Sequence, residues 1–304
     1  MNGILVINKA PGMTSNQVVG RARRLLGIKK IGHTGTLDPD VTGVLPLCIG
    51  SATRVAEYML DQSKAYRGEV TFGFSTTTQD ASGEPIDTVE QVELTEEQVR
   101  VAFARFVGDI LQQPPAFSAI KIDGKRAYDL ARQGEAVEIP ARPVTIYKLE
   151  IEEMHLDQAH PTVRFTVECS KGTYVRTLCH DIGVAVGVPA HMSHLVRTRS
   201  GPFALEQAVT LEQVEEAMAA GTIGEHLLPL QAALPHMPQA AIPEVLERRV
   251  QNGRELTLRK QVPGAEVGSL VRIETRGGKL LALYRVIEIA GGETHTKPEK
   301  VFHE

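Results

Sequence analysis

One short segment of the sequence concentrates residues that could do carboxylate chemistry. The stretch GHTGTLDPDVTG, residues 32–43, places Asp38 and Asp40 among glycines and threonines and around Pro39. Glycine allows positive φ and the close approach of another molecule, while Pro39 fixes its own φ and keeps Asp38 out of the helical region. We therefore expect a stiff, irregular loop that presents Asp38 beside the buried strand predicted from the apolar run VLPLCI.

Other chemistries fit parts of the sequence. Residues 38–42, DPDVT, match the D-x-D-x-T pattern of phosphatases that form an aspartyl phosphate, which need magnesium and an Asp at the end of a hydrophobic strand. Residues 191–194, HMSH, would place two metal ligands one helical turn apart, yet no carboxylate or Cys nearby completes the set. We interpret both histidines as polar surface or RNA-facing groups. The simplest alternative for Asp38 is a turn residue that caps backbone N–H groups.

The overall composition is that of a globular protein. The 304 residues are 42% hydrophobic and 23% charged, which is enough chain for two domains. No apolar run reaches 18 residues, and the start of the chain does not have the pattern of a signal peptide, so we expect a cytoplasmic protein away from membranes. The three cysteines lack C-x-x-C spacing and are predicted to be reduced. No motif predicts a metal or a cofactor.

Charge is distributed unevenly along the chain. Residues 16–67 carry eight Lys or Arg and four Asp or Glu, whereas residues 80–110 carry two and eight. The densest basic stretch, RARRLLGIKK at residues 21–30, lies just before the Asp38 loop. Such a stretch is equally consistent with a solvated helix face and with a surface that binds a polyanion such as nucleic acid.

The elements that must position these residues mix strands and helices without a regular βαβ rhythm. This order predicts an α+β fold with a mixed β-sheet. Capping residues predict one helix near residues 16–26, which starts after Thr14 and Ser15 and stops at Gly27. The alternation in KAYRGEVTFGF predicts a strand with Tyr66 near its start. Residues 173–187 have a helical apolar face from which Arg176 points away.

Two domains are expected. Residues 229–243 contain four prolines and no charged residue, which is typical of a linker. We expect a catalytic domain over residues 1–235, with the Pro-rich segment 112–142 as an insertion. Residues 243–304 hold short alternating strands and Gly-Gly turns, which predict a small β-barrel.

Five motifs, in the same order, resemble those of the TruB family of bacterial tRNA pseudouridine synthases. They are LVINKAPGMTS, GHTGTLDPDVTGVLPLCIGSATR, KAYRGEVTFG, CSKGTYVRTLCHDIG and HLVRTRSGPF. The resemblance continues into a C-terminal segment whose length and pattern of short strands are similar to those of a PUA domain. It implies a metal-free and cofactor-free isomerase, expected to be a monomer, that converts the T-loop uridine at tRNA position 55 to pseudouridine. Its implied partner is the T-arm stem-loop of tRNA.

The resemblance also implies roles for individual residues. Asp38 would be the catalytic carboxylate, which either attacks C1′, assists elimination there, or adds to C6 of the uracil. Arg176 would pair with Asp38, and Tyr66 would stack on the flipped base and help to remove the C5 proton. Four further substrate-binding roles are implied: His33 beside the flipped nucleotides, Tyr174 and Leu195 in the pocket wall, and Lys9 beneath the loop that carries Asp38.

The family resemblance also predicts how RNA is held. The basic stretches 21–30, 121–126 and 197–199 would contact phosphates, and the insertion at 112–142 would clamp the stem. Two other functions stay open. A noncatalytic RNA-binding or RNA-folding protein on the same scaffold would make no pseudouridine, and a magnesium-dependent aspartyl phosphatase would be inhibited by a chelator.

Overall fold

The computed structural model describes residues 1–118, 120–122, 124–128 and 139–303, with backbone alone at residues 121, 122, 125 and 126. In this part of the chain a ten-stranded mixed sheet packs against helices, and a five-stranded sheet follows it toward the C-terminus. The predicted α+β fold with a mixed sheet is confirmed.

The described strands follow one another along the whole chain. They are β1 (Gly3–Lys9), β2 (Ile31–His33), β3 (Thr42–Ile49), β4 (Lys64–Phe72), β5 (Phe74–Thr76), β6 (Pro85–Thr88), β7 (Gly108–Gln112), β8 (Lys121–Ile122), β9 (Lys125–Arg126), β10 (Arg142–His155), β11 (Thr162–Cys169), β12 (Ala190–Ser200), β13 (Phe203–Ala204), β14 (Leu227–Leu228), β15 (Gln239–Ile242), β16 (Leu256–Leu258), β17 (Leu270–Thr275), β18 (Leu280–Ala290) and β19 (Glu293–Val301).

The described helices are short. The α-helices are α1 (Ser15–Leu26), α2 (Ala56–Leu60), α3 (Glu96–Ala104), α4 (Val175–Val186), α5 (Leu211–Ala220) and α6 (Glu244–Gln251). Short 3-10 helices cover Gly50–Val55, Leu205–Gln207, Ile223–His226 and Leu230–Ala233. Within the described ranges, no helix combines the length and apolar character that crossing a membrane requires.

Helix α1 shows why these elements form where they do. Thr14 and Gln17 make a reciprocal capping box at its start, and Gly27 ends it in the left-handed conformation at φ 65°. Its apolar residues recur on one face and are buried against the large sheet. The helix predicted near residues 16–26 is present; it begins one residue earlier, at Ser15, and ends at Gly27 as expected.

The order of the large sheet places the site. Its strands run β14-β1-β3-β12-β4-β11-β10-β7, with β2 paired to β3 and β13 paired to β12. Strand β12 is parallel to β3, where Arg197 lies opposite Gly43, and antiparallel to β4, where Arg197 lies opposite Tyr66. Gly43 has φ 99°, and a Cβ atom there would lie 2.3 Å from the carbonyl oxygen of Arg197. Only glycine permits this close approach of β12 to the strand that follows Asp38.

Strand β1 shows that the large sheet is buried on both faces. Leu5 and Ile7 pack with the helices, whereas Ile4 and Val6 pack on the opposite side, as the period of two requires. The cluster around Ile4 and Val6 also contains Leu280 and Leu283 of β18 and Phe302, which directly follows β19. The C-terminal sheet therefore covers one apolar face of the large sheet.

The C-terminal unit is a curled sheet with strand order β15-β17-β18-β19-β16, which forms half of a barrel in place of the predicted small β-barrel. The segment 229–243, predicted as a linker, supplies edge strand β15 and the buried residues Ala233 and Leu234. Backbone pairing and apolar burial thus attach this segment to both sheets. The boundaries at residues 235 and 243 stay a prediction.

Candidate active site

Asp38 lies in the loop between β2 and β3, where two cavities meet. The loop lines a cavity of about 690 Å³ and a second cavity of about 310 Å³. Asp38, Arg176 and Leu195 line both cavities. The side chain of Asp38 is 44% exposed, so the carboxylate can reach a molecule in either one.

A buried lysine holds one flank of the Asp38 loop. Lys9 is 1% exposed, and its Nζ donates to the carbonyl oxygens of Pro39 at 2.6 Å, Met13 at 2.7 Å and Ala10 at 3.0 Å. Ser15 Oγ accepts from the N–H of Leu37 at 2.9 Å. The residues on both sides of Asp38 are thus bound to β1 and α1. The structure places Lys9 against the loop that carries Asp38, and its substrate-binding role stays a prediction.

A buried arginine holds the other flank. Arg197 on β12 is 1% exposed, and its guanidinium donates to the carbonyl oxygens of Val44 at 2.7 Å, Gly35 at 3.2 Å and Thr36 at 3.4 Å. The prediction that residues 197–199 contact phosphates is wrong for Arg197, because its side chain has no solvent-facing donors. Arg199 is partly exposed and forms an ion pair with Glu168 at 2.5 Å.

Arg176 is the second residue of α4, and its guanidinium contacts three acceptors. Its Nη2 donates to the carbonyl of Phe117 at 2.6 Å and lies 3.8 Å from Oδ2 of Asp38. Its Nη1 lies 3.4 Å from Oδ2 of Asp80. The predicted pairing with Asp38 is therefore a charge contact beyond hydrogen-bond length, and two other acceptors hold the guanidinium more closely.

Asp80 is a residue of this site that the sequence analysis missed. Its Oδ1 accepts from Thr78 Oγ1 at 2.7 Å and from the N–H of Ser82 at 3.0 Å, which fixes the carboxylate inside its own turn. Its side chain is 13% exposed and lies against Arg176. The sequence TTTQDASG indicates a turn, but its spacing contains no signal that links it to Arg176.

Burial dominates the electrostatics of the site. It raises the pKa of Asp38 above its ordinary value, an effect that Arg176 opposes and the nearby Asp80 reinforces. Burial also lowers the pKa of Lys9 to about 8, against the opposing pull of Asp40 and Asp38. The Asp38 carboxylate is thus more basic than one in water, which suits a group that must bond to carbon or take a proton.

The smaller cavity contains two tyrosines. Tyr66 lies on β4 directly opposite Arg197, and Tyr174 immediately precedes α4. Burial raises the pKa of both phenols, although Arg197 opposes the shift at Tyr66 and Arg176 opposes that at Tyr174. Arg176 also lies over the Tyr174 ring, with its Cζ 5.7 Å from the centroid. The cavity therefore offers aromatic surface and neutral phenols next to Asp38.

The larger cavity is lined by His33, at the end of β2, and by residues of α1. Burial and the charge of Arg197 lower the pKa of His33. Its Nδ1 is buried and has no hydrogen-bond partner among the described residues. The structure thus gathers His33, Tyr66, Tyr174, Arg176 and Leu195 around Asp38, while Lys9 lies below the loop.

The HMSH segment is a strand, and its two histidines have different surroundings. His194 is exposed, whereas His191 is 3% exposed, forms a hydrogen bond of 3.0 Å with the carbonyl of Phe74 and lies 4.2 Å from the Phe74 ring. The prediction of a surface or RNA-facing group is therefore wrong for His191. A search of the described ranges finds no group of three His, Cys, Asp or Glu residues arranged to hold a metal ion.

The base of the insertion is joined to the site. Gln112 is 1% exposed; its Oε1 accepts from the N–H of Tyr174 at 2.7 Å, and its Nε2 donates to the carbonyl of Tyr174 at 3.0 Å. Together with the bond from Arg176 to Phe117, this links the start of segment 112–142 to α4. The clamp role stays a prediction, and the side chains of 121–126 that were expected to contact phosphates lie outside the described residues.

Only some of the basic groups at 21–30 are engaged within the protein. Arg21 forms an ion pair with Glu212 at 3.0 Å, and Arg23 donates to the carbonyl of Ile31 at 2.7 Å. Arg24, Lys29 and Lys30 are exposed. Their contact with phosphates stays a prediction.

Comparison with known families identifies the proteins that this chain is similar to. Residues 23–175 match the N-terminal domain model of the TruB family pseudouridylate synthases, and residues 176–235 match the C-terminal domain model of tRNA pseudouridylate synthase B. Similar curated proteins include tRNA pseudouridine synthase B of Geobacillus thermodenitrificans, 46% identical over 99% of this chain and 100% of the relative. The Bacillus subtilis protein of the same name is 43% identical over 93% of each chain.

Solved structures give the same fold. A chain of an H/ACA RNP bound to a substrate RNA that contains 2′-deoxyuridine matches with a TM-score of 0.77 and 28% identity, over 99% of this chain and 85% of the other. A chain of an archaeal box H/ACA Nop10–Cbf5 complex matches with a TM-score of 0.75 and 30% identity, over 99% and 86%. Since a family model matches half of the chain and relatives above 40% identity span nearly all of it, the chain belongs to the TruB family of pseudouridine synthases.

Proposed function

We propose that this enzyme isomerises the T-loop uridine at position 55 of tRNA to pseudouridine, with Asp38 as its catalytic carboxylate. The observation that carries the proposal is the position of Asp38, at the junction of two cavities with a tyrosine-lined pocket on one side. The names of the relatives support tRNA as the substrate.

The reaction must break the bond between N1 of uracil and C1′, rotate the base and join C5 to C1′. Asp38 would serve by attacking C1′, by assisting elimination there, or by adding to C6 of the uracil. Each role needs a carboxylate that is ionised and weakly hydrated. The burial that raises the pKa of Asp38 and the nearby charge of Arg176 meet these two needs together.

The two cavities suggest a path for the substrate. A base in a folded RNA loop must be extruded before it can react, at a cost of about a few kcal/mol that stacking in the pocket offsets. The target uridine would enter the smaller cavity and stack on Tyr66, while Tyr174 and Leu195 form the wall. Neighbouring nucleotides would pass His33 in the larger cavity. The Tyr66 phenol would then assist removal of the C5 proton.

The D-x-D-x-T phosphatase alternative fits the structure poorly. It requires the first Asp at the end of a hydrophobic strand, whereas Asp38 precedes β3 and follows the irregular residues after His33. A noncatalytic RNA-binding protein would bind the same RNA without making pseudouridine.

The decisive experiment uses a T-arm stem-loop tritiated at uracil C5 and measures released tritium. Asp38→Asn keeps the shape of the side chain and removes its charge, so release should fall by several orders of magnitude while RNA affinity changes by less than about tenfold, or about 1.4 kcal/mol. Asp40→Asn is the matched control, because it removes a charge from the same loop at an exposed position. Ordinary release by Asp38→Asn would refute the assignment, and no release by the wild type would refute the function.

A further inference from the structure

Arg197 is an unusual residue for the interior of a protein. It is 1% exposed and is the largest fully buried side chain among the described residues. Apart from a hydrogen bond with the Tyr66 side chain, its guanidinium binds only backbone carbonyls, and no carboxylate in the described ranges forms an ion pair with it. Burying a guanidinium without a counter-ion is expensive, at about several kcal/mol before its hydrogen bonds are counted. A buried charge of this kind calls for a specific role.

The three carbonyls that Arg197 binds surround Asp38 in the sequence. Gly35 and Thr36 come just before the carboxylate, and Val44 comes just after the loop in β3. The guanidinium presents donors in three directions from one rigid plane, which an ammonium group cannot do. Arg197 thus joins both ends of the loop to the strand that also lies against Tyr66.

Lys9 holds the loop at a different point. It binds Pro39 from the side of β1, while Arg197 binds from the side of β12. Neither cation donates to the Asp38 carboxylate, so both act on the backbone that carries it.

We propose that Arg197 is a positioning residue for the reaction, which holds the backbone on both sides of Asp38 so that the carboxylate faces the cavity containing Tyr66. The proposal rests on the proposed function. A contribution to stability alone is the competing explanation, because any buried arginine bound to carbonyls stabilises the fold that surrounds it.

Arg272 provides a matched control for that explanation. It is also buried, at 8% exposure, and its guanidinium donates to the carbonyls of Met237 at 3.2 Å and Gln231 at 3.3 Å. It differs in having an acidic neighbour, Glu274, at 3.2 Å and in lying in the C-terminal sheet, away from both cavities.

The test compares Arg197→Lys with Arg272→Lys, since both keep the charge and lose the planar fork. Arg197→Lys should slow single-turnover tritium release by about 10- to 100-fold, the effect of a displacement of about 1 Å, while T-arm affinity stays within about threefold. Arg272→Lys should leave turnover unchanged. Hydrogen exchange provides a readout that does not depend on activity. The amides of Leu37 and Val41, which are bonded to Ser15 and Asp38, should exchange faster in Arg197→Lys alone.

Each outcome decides the question. Any of three results would overturn the proposal and leave Arg197 a role in stability alone. These are equal turnover in the two variants, unchanged exchange at Leu37 and Val41, and an Arg197→Lys protein that does not fold. A wild-type protein that releases no tritium would instead refute the proposed function, and the exchange measurement would still report on the loop.

Discussion

The contact between the two sheets can be tested with one substitution, Phe302→Ala. Phe302 is 8% exposed and belongs to the same apolar cluster as Ile4, Val6 and Val44 of the large sheet. Arg54 also lies over its ring, 5.4 Å from the centroid. Replacing a buried Phe by Ala costs about 3–5 kcal/mol, through lost transfer energy and the cavity left behind. We expect the lower end of this energy range, because Phe302 lies at the edge of the contact between the two sheets.

The expected effect is measurable as a melting temperature. For a chain of 304 residues, an unfolding entropy of about 2.1 cal/mol/K per residue means that about 1 kcal/mol shifts Tm by roughly 1.6 °C, so a loss of about 3 kcal/mol should lower Tm by about 5 °C. Differential scanning calorimetry would measure the shift. Val245→Ala is the control, because Val245 lies in the same C-terminal unit but is 81% exposed, and its change should stay within about 0.5 kcal/mol.

Two results would refute this argument. One is a Phe302→Ala protein that melts at the same temperature as Val245→Ala. The other is a wild-type protein with two separate unfolding transitions, since units that share one apolar cluster should unfold together. A chain cut near Ala240 loses Leu280, Leu283 and Phe302 at once and exposes the face they cover. The catalytic part would then be destabilised by the cut.

Three further predictions concern the site. Tyr66→Phe keeps the stacking face and loses the hydroxyl, so tritium release should fall severely at unchanged RNA affinity if the phenol moves a proton; near-normal release would leave stacking as its role. Lys9→Met fills similar volume without the three hydrogen bonds, and single-turnover rates should fall by about tenfold or more, with an unaltered rate counting against its role as a support. Because burial raises the pKa of Asp38, turnover should decline as the pH falls, and the midpoint of the decline should lie above the ordinary pKa of 3.8. Asp80→Asn removes a neighbouring negative charge and should therefore move this midpoint to lower pH. A pH–rate profile that stays flat down to 3.8 would contradict the last prediction.

Local signals in the sequence predicted much of the architecture. The caps of α1, the alternation of β4 and the apolar run of β3 each depend on neighbouring residues, and all three elements are present. The Asp38 loop was also evident, because glycine and proline restrict the backbone directly. The residues collected around Asp38 came from family motifs, since their distances in the chain carry no such local signal.

Arg197 shows where the local signals failed. The letters RTR at residues 197–199 look like a basic patch, and a charged residue is usually exposed. A period of two places Arg197 on the same face of β12 as Leu195, which was expected in the pocket wall. That alternation could have predicted an inward-facing arginine. The carbonyl partners that make its burial tolerable come from residues 35–44, more than 150 positions away, and could not be read from the strand itself.

The arrangement of cations explains how a partly buried carboxylate can stay reactive. A guanidinium bound to Asp38 through two short hydrogen bonds would stabilise its charge and lower its pKa, which weakens it as a nucleophile and as a base. In this structure Lys9 and Arg197 donate to backbone carbonyls, and the shortest hydrogen bond of Arg176 is to the carbonyl of Phe117. Asp38 is therefore fixed through its backbone, while its carboxylate keeps only a charge contact of 3.8 Å and remains open to the substrate.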